Sequence, residues 1–164
     1  MPSELVHECV STCMTPFLIT VGRYTTLGEA YELMMSNRIR RLPVVENQEL
    51  VGIVTLSDLL AATPITHRPG QLPDGFAAFG RLSVGVAMSH PVVAVYQSDP
   101  IGRAAELMMN HKVGGLPVLD AVRSLVGLIT ESNIFHELAR RWRDDNLLFS
   151  GARLRNNETG LHNG

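Results

Sequence analysis

Two short segments hold the residues with the clearest chemical potential: G-I-V-T-L-S-D at residues 52–58 and G-L-I-T-E-S-N at residues 127–133. Thr55 and Asp58 fall where a strand pattern gives way to a helical one, and Gly52 permits close backbone approach within the strand. A carboxylate three residues after a hydroxyl, both facing one cleft, accepts hydrogen bonds from two vicinal hydroxyls, which is the chemistry a ribose presents. The same spacing also fits a helix start, with Thr55 as cap and Asp58 as a favourable first-turn charge, and both readings stand at this point. The second segment keeps Thr130 but has Asn133 where the carboxylate stood. An amide still bonds a sugar hydroxyl, without the charge assistance that makes a carboxylate contact roughly twice as strong. The two places are therefore expected to be unequal.

Anion-binding groups are sought next. Arg40 and Arg41 precede Pro43, His111 and Lys112 precede Pro117, and Gly114 and Gly115 occupy the places of the two arginines in the second segment. Arginines offer fork-shaped phosphate donors, whereas paired glycines let a ligand approach the backbone; Arg38, Arg40 and Arg41 also fit a solvated helix end. No HExxH, GxSxG, P-loop or GxGxxG motif is present, and the six histidines show no metal-ligand spacing, so the expectation is binding without catalysis, with no metal site. Cys9 and Cys13 read as ordinary reduced thiols, one partly buried. Trp142 reads as an interface or helix-packing anchor.

The elements that must position these residues come in two copies, the first running from Met14 and the second from Met88. Met14 matches Met88, Leu27 matches Ile101, Ala30 matches Ala104, Met34 matches Met108 and Pro43 matches Pro117, all 74 apart; Gly52 and Gly127, and Thr55 and Thr130, are 75 apart, which puts one extra residue in the intervening turn. Each copy opens with a short apolar segment, residues 18–21 or 92–95, expected as a strand. A helical pattern follows. Thr26 and Glu29 predict a capping box in the first copy, and Asp99 with Pro100 predicts an N-cap and first-turn proline in the second. Strand runs at 42–45 and 50–55, and at 116–119 and 125–130, are joined by ENQE and DAVRS, and the copies close with SDLLAA and ESNIFHELARRW. The expected order is strand, helix, strand, strand, helix, an α/β (α+β) fold in which two β-α-β-β-α repeats pair about an internal pseudo-twofold axis, because one copy alone is too small to cover its own sheet. The expected boundaries are an arm at 1–12, a first repeat at 13–62, a Pro- and Gly-rich linker at 63–84 anchored by Phe76 and Phe79, a second repeat at 85–143 and a polar, disordered tail at 144–164.

Composition narrows the partners. Fourteen basic against sixteen acidic residues leave a formal charge of -2, so nucleic acid is disfavoured. Apolar runs stay far short of the roughly 20 residues a bilayer requires, and the N-terminus has neither a basic nor an apolar leader region, so no membrane association and a cytoplasmic location are the expectations.

The paired M-T/S-x-P-like openings at Met14 and Met88, the L-P-V stretches at Leu42-Pro43-Val44 and Leu116-Pro117-Val118, and the G-h-h-T-x-x-D/N closings at Gly52 and Gly127 together resemble a cystathionine-beta-synthase (CBS) domain pair, or Bateman module, over residues 10–138. The resemblance implies a stand-alone regulatory module that senses AMP, ADP, ATP or S-adenosylmethionine, with or without Mg2+, in clefts between the copies. It implies ribose contacts at Thr55 and Asp58, with Thr130 and Asn133 as the weaker pair. It implies base-lining positions at Ile19, Leu42 and Pro43, or Val92, Gly115, Leu116 and Pro117; Arg40, Arg41, His111 and Lys112 remain the phosphate candidates read from the residues themselves. It further implies a homodimer built on the apolar helix faces at 27–35 and 101–109, and a separate regulated protein. The alternative is a non-catalytic interaction module, or one responsive to a divalent cation, whose nucleotide clefts stay empty.

Overall fold

In a computed structural model, described here for residues 5–16, 18–62 and 79–157, the matched helices form as their periodicity requires. Helix α1 (Leu27–Asn37) buries Leu27, Ala30 and Met34, leaving Met35 exposed. The Thr26 hydroxyl accepts from the Glu29 N–H while the Glu29 carboxylate accepts from the Thr26 N–H, the expected capping box. Strands β1 (Arg41–Glu46) and β2 (Glu49–Thr55) pair antiparallel through a tight turn in which Asn47 and Gln48 both take positive φ. Helix α2 (Leu56–Ala61) closes the copy.

The second copy repeats this with β3 (Val95–Tyr96), α3 (Ile101–His111), β4 (Gly115–Leu119), β5 (Leu125–Thr130) and α4 (Glu131–Asn157). Strand β3 runs parallel to β4, and β4 runs antiparallel to β5. The extra residue sits in the turn after β4, where the Asp120 carboxylate accepts from the Val122 and Ser124 N–H groups. Both hairpins carry a register shift at matching places, Val44/Val45 and Val118/Leu119.

Three expectations need correction. The opening segments are not full strands: residues 18–21 contribute one parallel bridge, Val21 to Val44, and residues 92–95 contribute only Val95 to β3. Leu18 and Ile19, and Val92 and Ala94, line cavities instead of extending a ladder. Second, Pro100 rather than Asp99 is the N-cap of α3, and no side chain caps it. The carbonyls of Glu8 and Val6 accept from the Ile101 and Gly102 N–H groups, so a side-chain cap is redundant and the Asp99 carboxylate accepts from the Tyr96 N–H instead. Third, the tail is helical to Asn157. Residues 144–157 are polar but contain Leu, Arg and Ala and no proline, so polarity there does not end the helix. The linker expectation falls largely outside the described residues, Phe76 included; Phe79 packs edge-on against Tyr31, ring centroids 5.7 Å apart.

The two cores are assembled by exchange. Val84 and Met88 belong to the core of the first copy, with Leu27, Met34, Leu42 and Val54, whereas Val10 and Met14 join that of the second, with Met108, Leu116 and Ile129. The supporting hydrogen bonds correspond one for one. Val10 and Ser11 donate to the carbonyls of Asp99 and Gln97, and Val84 and Gly85 to those of Thr25 and Arg23. Thr15 and Leu128 exchange two backbone hydrogen bonds, as Ser89 and Ile53 do. The arm at 5–12 is thus the counterpart of residues 79–86, each docked on the other copy's helix. Gly52 and Gly127 are the seats: a Cβ at Gly52 would strike the Met88 side chain, and one at Gly127 would strike Met14.

Gly52→Ala is expected to cost about 1–3 kcal/mol by overpacking. Denaturant unfolding of Gly52→Ala, Met88→Ala and the double variant checks this, and the double variant should lose less than the two single losses combined.

Candidate functional site

The two Thr-Asx pairs are built alike. Asp58 Oδ2 accepts from the Thr55 N–H at 2.8 Å and the Thr55 hydroxyl at 2.7 Å, while Thr55 Oγ1 accepts from the Asp58 N–H at 3.2 Å. Asn133 Oδ1 accepts from the Thr130 N–H at 2.9 Å and the hydroxyl at 2.7 Å, and Thr130 Oγ1 accepts from the Asn133 N–H at 3.3 Å. Capping needs only one acceptor oxygen, so Asn replaces Asp without disturbing the helix start. The head-group atom that capping does not use differs, Oδ1 in Asp58 and Nδ2 in Asn133, and the latter donates to Thr15 Oγ1 at 3.2 Å.

A cavity of about 540 Å³ lies beside Thr130 and Asn133, within the size range of small-molecule sites. Its walls come from both copies. The first copy supplies Leu18, Ile19 and Pro43 as apolar surface and Arg38, Arg40 and Arg41 as cations; the second supplies Gly114, Thr130, Glu131 and Asn133. Arg38 is turned toward it by the left-handed backbone at the end of α1, φ 54°. Two other cavities, of about 630 and 670 Å³, lack this combination: one is acidic, with Glu29 and Glu32, and the other lies between the two hairpin turns.

The predicted site residues divide accordingly. Ile19, Pro43, Arg40, Arg41, Thr130 and Asn133 are brought together, whereas Thr55, Asp58, His111 and Lys112 do not line this cavity. Leu42 and Leu116 point into the two cores, as strand alternation demands for neighbours of lining residues. Gly115 and Pro117 are buried in β4, and Val92 lines the groove at the hairpin turns. The offset of 74 makes Val93, not Val92, the counterpart of Ile19. Arg38 and Glu131 were not singled out from spacing; Arg38 carries a weak signal as the counterpart of Lys112.

Arg41 crosses between the copies and donates to the Gly114 carbonyl, which also accepts from the Glu131 N–H. A Cβ on Gly115 would displace the Arg41 guanidinium, which occupies that space. Burial pushes the Arg41 guanidinium below its ordinary value, opposed by the Glu131 carboxylate. A second charged cluster ties the arm to α4: Arg141 bonds both Glu8 and Glu137, and Arg140 bonds Glu137 and Asp144. Hydrogen bonds from Arg140 and Arg141 push the Glu137 carboxyl down to about 2. Cys13, half-buried beside this cluster, has its thiol raised by burial and then by the Glu137 and Glu8 charges, and so stays protonated, while Cys9 is exposed. Trp142 is 68% exposed. Among the described residues no group of three or more His, Cys, Asp or Glu side chains is arranged to hold a metal, and no helix is long and apolar enough to cross a membrane.

The model of the CBS domain family matches residues 10–64 and 83–140. A CBS domain-containing protein of Dictyostelium discoideum is 36% identical over 132 residues, covering 80% of this chain and 91% of that protein. The chain spans less than half the length of other curated relatives, a homoserine O-acetyltransferase of Methanosarcina acetivorans among them at 22%. The crystal structure of the CBS-pair protein CBSX2 of Arabidopsis thaliana superposes with a TM-score of 0.71 at 29% identity, covering 83% of this chain and 97% of that one. The same protein in complex with AMP superposes at 0.65, also 29% identical, covering 81% and 97%.

Two outcomes follow from the geometry. Asp58→Ala should lower stability by about 0.5–2 kcal/mol while Asp58→Asn retains most of it, as thermal unfolding will show. The Glu137 carboxyl is depressed from 4.5 to about 2, so its contribution to stability is complete above 4.5 and is lost as pH falls through that value toward 2. Urea unfolding from pH 7 to pH 2 should show this loss, reduced in Glu137→Gln.

Proposed function

The chain belongs to the CBS domain family, with two CBS repeats in tandem, and from that premise we propose that it is a non-catalytic regulatory module binding an adenine nucleotide in the cleft between the copies. The observation that carries this reading is the composition of the cleft: apolar Ile19 and Pro43, the Thr130 and Asn133 pair, and Arg38 and Arg40 all line one cavity. An adenine ring would pack on the apolar wall. The ribose hydroxyls would meet Thr130 and Asn133, and a phosphate would lie toward the arginines, which match its geometry with paired donors. The AMP complex of CBSX2 supports the ligand class.

Regulation follows from where the walls originate. A ligand that touches both copies binds only when their separation and angle suit it, so occupancy shifts the relation between the repeats, and that shift is what a regulated protein would read. The outward faces of α1 and α3, where Met35 and Met109 are exposed, and of α4, with Phe135, Leu138 and Trp142, would carry the homodimer and partner contacts.

Isothermal titration with AMP, ADP, ATP and S-adenosylmethionine tests the reading, with AMP expected to bind. Arg40 is exposed, its backbone carbonyl accepts from Leu56 N–H, and its side chain has no ion pair among the described residues. Arg40→Ala should therefore preserve the fold and weaken AMP about tenfold or more, the worth of a hydrogen bond to a charged group. Absence of binding by all four ligands would overturn the proposal.

A further inference from the structure

The cavity wall carries three cations and a single anion, Glu131. Its carboxylate replaces the apolar residue of the first copy, since Glu131 stands 75 residues after Leu56. A point directly above the Gly114 Cα lies 3.0 Å from Glu131 Oε2 and 3.1 Å from Arg41 Nη2, so the two head groups flank the same spot on the wall. Arg41 is further committed by its bond to the Gly114 carbonyl. Glu131 thus offsets the Arg41 charge locally and leaves Arg38 and Arg40, which have no ion pair among the described residues, to face a ligand. The net charge of the wall is +2, matching a phosphomonoester, which carries about −1.5 to −2 at neutral pH.

Resting on the nucleotide reading above, we propose that Glu131 is the residue that sets phosphate selectivity, favouring a nucleoside monophosphate and disfavouring longer phosphate chains. Each further phosphate adds negative charge that the wall does not balance, on a wall that also carries the Glu131 carboxylate, and like charges repel. Glu131 acts on the ligand through charge alone. Its side chain is exposed and takes no part in the Thr130–Asn133 capping interaction, so the helix start survives its neutralisation.

The test compares wild type with Glu131→Gln by titration with adenosine, AMP and ATP, and by thermal shift with inorganic pyrophosphate at constant ionic strength. Neutralisation should leave adenosine unchanged, tighten AMP by about tenfold and tighten ATP by more, narrowing the preference for AMP. Pyrophosphate should stabilise Glu131→Gln more than wild type. An unchanged AMP-to-ATP ratio in proteins that both bind AMP would overturn the assignment of Glu131 and leave the nucleotide reading standing. A larger pyrophosphate response in Glu131→Gln, with no binding of any nucleoside ligand, would support the charge role and overturn the adenine reading. Equal pyrophosphate responses with no nucleotide binding would overturn both.

Discussion

The structure depends on one reciprocal constraint: each copy completes its core with the other copy's opening segment. Met14 fits against Gly127 and Met88 against Gly52, and either contact requires the strand to approach without a side chain. Val10 and Val84, both fully buried, extend the exchange, and the backbone carbonyls of Glu8 and Leu82 complete the first turns of α3 and α1. Neither copy is a finished unit alone, which is the expected solution for some 50 residues that cannot bury both a sheet face and a helix face. The cleft inherits this property, since its three arginines and Ile19 come from one copy and Thr130, Glu131 and Asn133 from the other.

The capping residues show how a structural need and the proposed binding role can share one side chain. In Asp58 and Asn133 a single oxygen serves the helix start, leaving the second head-group atom as the variable part. Asp and Asn there serve the helix start alike, and they differ in the second atom, which in Asn133 donates to Thr15 Oγ1. Arg41 illustrates the opposite economy. Placed across the axis against Gly114 and Gly115, it joins the copies, and in the proposed reading Arg38 and Arg40 are left to meet the ligand.

Much of this was legible in the residues. The helix faces at Leu27, Ala30 and Met34 and at Ile101, Ala104 and Met108, the hairpins with their one-residue difference and the Thr26 capping box all follow from local periodicity and spacing. What escaped reading was non-local. Pro100 lacks a side-chain cap because Val6 and Glu8 arrive from more than 90 residues away. The arm resembles an independent tail because its kinship with residues 79–86 rests on little more than Val10 matching Val84. The joining of Ile19 and Arg40 with Thr130 and Asn133, rather than with Thr55 and Asp58, is a consequence of the exchange and has no signature within either copy.

The central claim is that one ligand is held jointly by both copies, and hydrogen–deuterium exchange with and without AMP tests it most directly. The account predicts added protection in residues 37–43 and 128–133 together, rising with the same ligand concentration. Protection confined to one copy, with 37–43 responding alongside 55–58 while 128–133 stays unchanged, would contradict it.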